Sequence, residues 1–357
     1  MLFKHANSAT SHWIHETCMD RLDRILSSRV PNMDRPICRR TFFKLGVVAA
    51  AAFAAGPGRA QGAPVRIVVP FAPGGGNDIF ARLLAPGISQ ALKSPAIVDN
   101  RAGASGNIGA SYVAHAAPDG KTVLYASSSI VINPAVMGNI PFDVRRDLVP
   151  VSLAVSQPLT MVVRRDLGIS SLSELLARMR SQKINLAYGN ASLGSISNLT
   201  PEILFRRANV SALSVPYKGA GQLMTALLGG EVQAAFMIYP VAKPYLEKGD
   251  LVALATTGQG RLKQLPRIPT LVEEGFADLV ADQWHGVFMP AGTPEALAVE
   301  FQMALSSALE EAAVRRRMDD EGAAVIGSAP KAFAEYLDKE LARWRQIARE
   351  TGIRISA

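Results

Sequence analysis

The sequence contains no cysteine after Cys38, and only Cys18 before it. Whatever folds beyond residue 60 therefore needs no disulfide and can hold no metal through sulfur. Histidine is almost as scarce, with only His115 and His285 past residue 60. The apolar run from Leu45 to Ala55 is about half of the roughly 20 residues that a membrane-spanning helix needs, so it does not read as an anchor. The formal net charge of +8 suggests a polyanionic partner until it is located. Residues 1–60 hold nine Lys/Arg against four Asp/Glu, which leaves the rest of the chain close to balance. The cluster Arg315 to Arg317 is followed by Asp319, Asp320 and Glu321 and reads as an exposed helix end. No nucleic-acid partner, cofactor or metal is expected.

The basicity belongs to a leader. Paired arginines Arg39 and Arg40, then Phe42, Phe43 and Lys44, then the apolar run, match an export signal of the twin-arginine kind. Small residues at Gly58 and Ala60 place cleavage before Gln61. Cys38 stands where serine or threonine is usual, and it precedes the apolar run, so it is not read as a lipid-attachment site. The segment before Met33 is polar and has no clear apolar periodicity, so Met33 is read as the start of translation.

What the folded part does contain is "RIVVPFAPGGGNDIFARLLA", Arg66 to Ala85. A β-branched run leads into three glycines, and Ile79, Phe80, Leu83 and Leu84 then recur at helical spacing. Asn77 and Asp78 can both cap that helix. Asp78 and Arg82, four apart, read as a solvated surface pair. The loop has neither the G-x-G-x-x-G spacing of a dinucleotide site nor the terminal Lys-Ser/Thr of a phosphate loop. It remains an uncharged anion cradle at Gly74, Gly75 and Gly76, where a side chain, at Gly75 for instance, is expected to block the anion.

Strand-like and helix-like segments alternate along the chain: "AIVDN", a helix around Ile108 to Ala114, "KTVLYASSS", a looser stretch holding "NPAVMGNIPFD", and then a second round from "PLTMVVRR". This is the pattern of an α/β protein, and two lobes joined by crossing strands fit it better than one long sheet. The second round repeats the first loop. "INLAYGNASLGSISNLTPEILF" also runs strand, loop of small and polar residues, helix, with Pro201 acceptable in a first helical turn. A carboxylate between two such cradles would be held by N–H groups and hydroxyls from both sides. Phe333, Tyr336, Leu337, Leu341 and Trp344 form a core stripe on a late helix.

The same loop admits an enzymatic reading. "NASLG" places Ser192 as a nucleophile in strand-to-helix context, but Asn190 stands where the tight elbow needs glycine. His115 precedes the serine, and His285 lies in "WHGVF", a strand-like segment, so no triad assembles in the expected order. Ser192 is read as a hydroxyl donor in a loop.

The motifs "VPFAPGGGNDIFAR", "VDNRAGASGNIGA", "APDGKTVLYASSS", "INPAVMGNIPFD", "VPYKGAGQLMTALLGGEVQAAF" and "GVFMPAGTPEA" occur in this order from Pro64 onward. In that order they resemble the Bug family, the extracytoplasmic substrate-binding proteins of tripartite tricarboxylate transporters. The resemblance implies an α/β, two-lobed periplasmic binding protein of type II, with mainly parallel sheets flanked by helices and a ligand cleft between the lobes. It implies that the loop Phe71, Ala72, Gly74, Gly75, Gly76, Asn77 and Asp78 holds the ligand carboxylate, largely through backbone amides and bound water. It assigns the same role to the second loop, through Tyr188, Asn190, Ser192, Gly194, Ser195 and Asn198. Ser127, Ser128, Ser129, Tyr217 and Gly219 would supply the remaining walls.

This chain departs from the family at three places: Asn198 stands at a usual histidine, Ser192 at a usual glycine, and Met237 where a small or acidic residue is frequent. The last implies a less polar distal pocket. The expected protein is a soluble periplasmic monomer that delivers a small organic carboxylate to membrane transporter subunits. A ligand sensor reporting to a signalling protein is the alternative, and a serine hydrolase using Ser192 is a weaker one. Residues 1–32 are read as a leader outside the protein and 33–60 as the signal. Residues 61–156 are read as the first lobe, 157–284 as the second, and 285–357 as the return to the first lobe with the C-terminal helices.

Overall fold

Short β-branched runs separated by amphipathic helices build the first half of the molecule, a computed structural model describing residues 63–277 and 279–355. The expected leader, with Met33, Arg39, Arg40, both cysteines and the expected cleavage before Gln61, lies outside the described residues. Strand β1 (Val65–Val69) is followed by helix α1 (Gly76–Leu92), β2 (Ala96–Asn100), α2 (Asn107–Ala114), β3 (Thr122–Ser127) and α3 (Ser129–Val136). β1 lies between β2 and β3 and pairs with both in parallel. The looser stretch expected around "NPAV" is instead the end of α3, which carries Pro134 inside it.

The long strand β4 (Leu148–Arg164) opens the second half. It leads to α4 (Leu172–Arg180), β5 (Ala187–Asn190), α5 (Ile196–Arg207), β6 (Leu213–Pro216), α6 (Ala220–Gly229), β7 (Ala234–Ile238), α7 (Tyr239–Lys248) and β8 (Leu251–Thr256). β5 pairs in parallel with β6 and β7. Pro201 is the sixth residue of α5 rather than part of its first turn, so the carbonyl four residues earlier loses its helical donor.

The chain then returns through β9 (Asp282–Pro290), α8 (Glu295–Glu310), α9 (Ala312–Asp320), the short β10 (Ala324–Val325) and α10 (Pro330–Thr351). The strand order is β2-β1-β3-β9-β4-β7-β5-β6, with β8 and β10 also on β4. Both wings are parallel, while the centre, built on β4 and β9, is antiparallel. β4 changes partners along its length: Leu148 to Pro158 face β9, whereas Leu159 to Val163 face β7 and Thr160 to Arg164 face β8.

Helices α1 and α8 cover one face of the first wing, packing Phe80, Leu84, Phe301 and Leu305 on Ile67, Val123 and Val287. α10 covers the other face beside α3 and β4, with Phe333, Leu337, Leu341 and Trp344 buried as a stripe. Each such side chain contributes about 1.5–3 kcal/mol of burial. Among the described residues no helix is long and apolar enough to cross a membrane.

Candidate functional site

The two small-residue loops end alike. α1 starts after Gly75 (φ −84°, ψ 169°) and α5 after Ser195 (φ −83°, ψ 161°), and neither residue caps its helix with a side chain. One position earlier both backbones are left-handed, at Gly74 (φ +84°) and Gly194 (φ +68°). Four residues on, one side chain closes each turn. Asp78 Oδ2 accepts from the Gly74 N–H at 3.0 Å, and Asn198 Oδ1 accepts from the Gly194 N–H at 3.1 Å. The same motif is thus used twice, once from each wing. It leaves the N–H groups of Gly76, Asn77 and Asp78, and of Ile196 and Ser197, without an intrahelical acceptor, at the positive ends of two helix dipoles.

Asp78 is not a helix cap, nor half of a solvated pair. Its carboxylate is buried and also accepts from Arg82 Nε and Asn100 Nδ2, each at 2.9 Å, while Arg82 itself stays half exposed. Burial alone would raise its pKa, but the hydrogen bonds from Arg82, the Gly74 N–H and Asn100 outweigh burial and hold it below the usual carboxylate value. Asn77 likewise turns inward, with Nδ2 3.5 Å from the Tyr125 carbonyl.

The neighbouring glycines differ in what surrounds them. Gly75 has an ordinary φ, and a Cβ on it would meet only the Ala72 carbonyl, at 3.8 Å. Gly76 is crowded: a Cβ on it would stand 2.7 Å from Ile238 Cδ1 and 3.1 Å from Gln283 Nε2, so those side chains would have to shift.

Both helix N-termini open on a cleft of about 300 Å³. Phe71, Ala72, Gly75, Gly76 and Asn77 line it from the first loop, and Ser192 and Ser195 from the second. Ser127, Ser129 and Gly219 complete the expected residues that reach it. The other eight stand behind this surface. Gly74, Asp78, Gly194 and Asn198 brace the loops as described. Ser128 is the buried N-cap position of α3. Tyr188 is buried against Phe205 with its hydroxyl 3.2 Å from Glu202, and Asn190 donates to Ser214 at 3.0 Å. Tyr217 points its hydroxyl toward Glu231.

Sequence reasoning missed much of the far wall. Leu159, Leu223, Ile238 and Val241 make it apolar together with Phe236 and Met237. Lys218 is the one charged residue on the lining and is exposed, and Gln222 and Gln283 also reach the cleft. The signal available was Gln283 and its strand neighbour Gln157, polar residues within otherwise apolar strands.

Ser192 Oγ donates to Ser105 Oγ at 3.1 Å, tying the second loop to the turn before α2. His285 is fully buried, stacked on Tyr125 with ring centroids 5.6 Å apart and set edge-on to Phe80. Burial drives its imidazole down to about 3. Among the described residues no group of acidic, histidine or cysteine side chains could hold a metal ion. The arrangement offers neutral donors to an anion.

The model of the tripartite tricarboxylate transporter family receptor matches residues 80–353. The chain belongs to this family. The receptor is 35% identical to the protein BugT of Bordetella pertussis over 294 residues, 82% of this chain and 90% of BugT. Its fold matches the periplasmic binding protein BugD with a TM-score of 0.79 and 29% identity, over 83% of this chain and 99% of BugD. It also matches MatC of Rhodopseudomonas palustris, solved with bound malate, with a TM-score of 0.75 and 32% identity, over 80% of this chain and 98% of MatC. The expected family and the α/β periplasmic binding protein fold are both borne out by these matches.

Proposed function

We propose that this receptor captures a small organic carboxylate in the periplasm and delivers it to the membrane subunits of a tripartite transporter, as a monomer, with no cofactor and no chemical turnover. One observation carries the reading: two uncapped helix N-termini of the same geometry, one from each wing, face a single cleft whose lining includes no aspartate or glutamate. Charged hydrogen bonds contribute about 1.5–3 kcal/mol each, so four to six of them reach the roughly 8 kcal/mol of a micromolar site. Ser127, Ser129, Ser192 and Ser195 add hydroxyls to the amides. MatC, which shares the fold, holds malate. Binding rather than hydrolysis is supported by Ser192, whose hydroxyl engages Ser105, and by a lining without histidine.

A thermal-shift screen of the exported protein against dicarboxylates, tricarboxylates, aromatic carboxylates and amino acids tests the reading. A carboxylate at a hundredfold excess over its Kd is expected to stabilise the fold by about 2.7 kcal/mol. Stabilisation by amino acids alone, or by none of the four classes, overturns it.

A further inference from the structure

The first turn of α1 rests on polar side chains that the amide grip does not use. β4 and β9 set Gln157 opposite Gln283 and Val155 opposite His285, and β3 sets Ser127 opposite His285, so these side chains share one face of the sheet. A Cβ on Gly76 would stand 3.1 Å from Gln283 Nε2 and 3.6 Å from Gln157 Nε2, so both amides pack against Gly76, Gln283 on the cleft lining and Gln157 directly behind it. Gln283 lines the cleft, and its Nε2 lies 3.4 Å from His285 Nε2. Gln157 is 1% exposed, and neither its Nε2 nor its Oε1 has a partner among the described residues.

The two ends of that amide ask for different things. A carboxylate can accept from Nε2 but has no hydrogen to give Oε1. A hydroxyl on the neighbouring carbon can give one. An ammonium in its place would lack a counter-charge, because no aspartate or glutamate lines the cleft. We propose that Gln157 and Gln283 read a hydroxyl beside the bound carboxylate, so that the preferred ligands are 2-hydroxycarboxylates. This rests on the carboxylate reading above and adds a specificity to it. A site built to pair a hydroxyl discriminates strongly against the analogue without one, because its own polar groups are then left unpaired.

Calorimetry with two matched pairs, lactate with propionate and malate with succinate, tests this on wild type, Gln157→Met and Gln283→Met. Wild type is expected to bind the hydroxy acid of at least one pair tenfold or more tightly than its plain partner. Each variant should cut that ratio to threefold or less, the hydroxy acid losing more affinity than its plain partner. Circular dichroism checks the fold, and Gln283, only half buried, keeps the comparison available if Gln157→Met unfolds. Equal binding within both pairs in wild type, or a ratio that survives both substitutions, overturns the proposal and leaves carboxylate capture standing. Failure of all four acids, with the wider screen also blank for carboxylates, overturns carboxylate capture and this proposal with it.

Discussion

At Gly76 the backbone comes so near Ile238 and Gln283 that one added methyl must displace them, whereas Gly75 beside it has room. A side chain at position 76 therefore presses on two residues of the cleft wall, Ile238 and Gln283. For whichever carboxylate the screen identifies, Gly76→Ala is expected to raise Kd by more than tenfold in calorimetry and Gly75→Ala by less than threefold; equal losses would remove the distinction. The buried imidazole of His285 sets a different expectation. It stays neutral in the folded chain down to about pH 3, while the unfolded chain takes up its proton near 6.5. The stability this gives is whole above about pH 6.5 and is lost as pH falls toward 3, at about 1.4 kcal/mol per unit. Between pH 7 and pH 5 this amounts to about 2 kcal/mol, so His285→Phe, measured by denaturant unfolding at both values, should narrow the wild-type difference by about that much. An unchanged difference would mean that the ring protonates without opening the fold.

Among the elements, α10 is seated by one close approach. A Cβ on Gly286 of β9 would stand 2.3 Å from Phe333 Cζ, so the strand offers a flat patch to the ring at the start of the helix. Gly286→Ala is expected to cost about 1–3 kcal/mol in urea unfolding by overpacking. Adding Phe333→Leu should make the double variant more stable than the sum of the two losses predicts, by at least about 0.5 kcal/mol; strict additivity would show that the ring does not seat there. The same scale shows what could be read in advance. The unit β1–loop–α1 and its echo β5–loop–α5 were legible because β-branched runs, glycine and helical spacing are local signals. The tail of α3 was not, since Asn133 and Pro134 look like a loop until Asn133 is seen bonding to Ser105 and Asn107. Nor was the burial of Asp78, because its spacing to Arg82 is the same in a solvated pair and in a braced turn. Asn100, which decides between them, arrives on the next strand. The far wall of the cleft was hidden for the same reason: Leu159, Phe236 and Val241 meet only through long-range pairing of β4 with β7 and the helix that follows.

For the whole molecule, the charge asymmetry of the sequence lies in residues 1–60, ahead of the described fold. If the paired arginines direct the chain through the twin-arginine route, replacing Arg39 and Arg40 by lysine should hold the precursor in the cytoplasm, as read by fractionation and immunoblotting. Normal export of that variant would assign the leader to the general secretory route. Beyond the leader, the two wings share the strand β4, and its exchange of partners falls between Pro158 and Leu159. A proline has no N–H to give to either neighbour, so flexing the strand at residue 158 takes no donor out of a ladder. On its other side the Leu159 N–H is held by Thr257 Oγ1 at 2.8 Å, and the Thr257 N–H returns to the Leu159 carbonyl at 2.9 Å, while the same hydroxyl donates to the Ala281 carbonyl at 2.7 Å. The change of partners is therefore made at a residue with no donor to lose, with the Thr257 clamp directly behind it. Leu159, on the cleft wall, is the first residue after that exchange, so the lining of the cleft and the seam between the two wings are held by the same clamp.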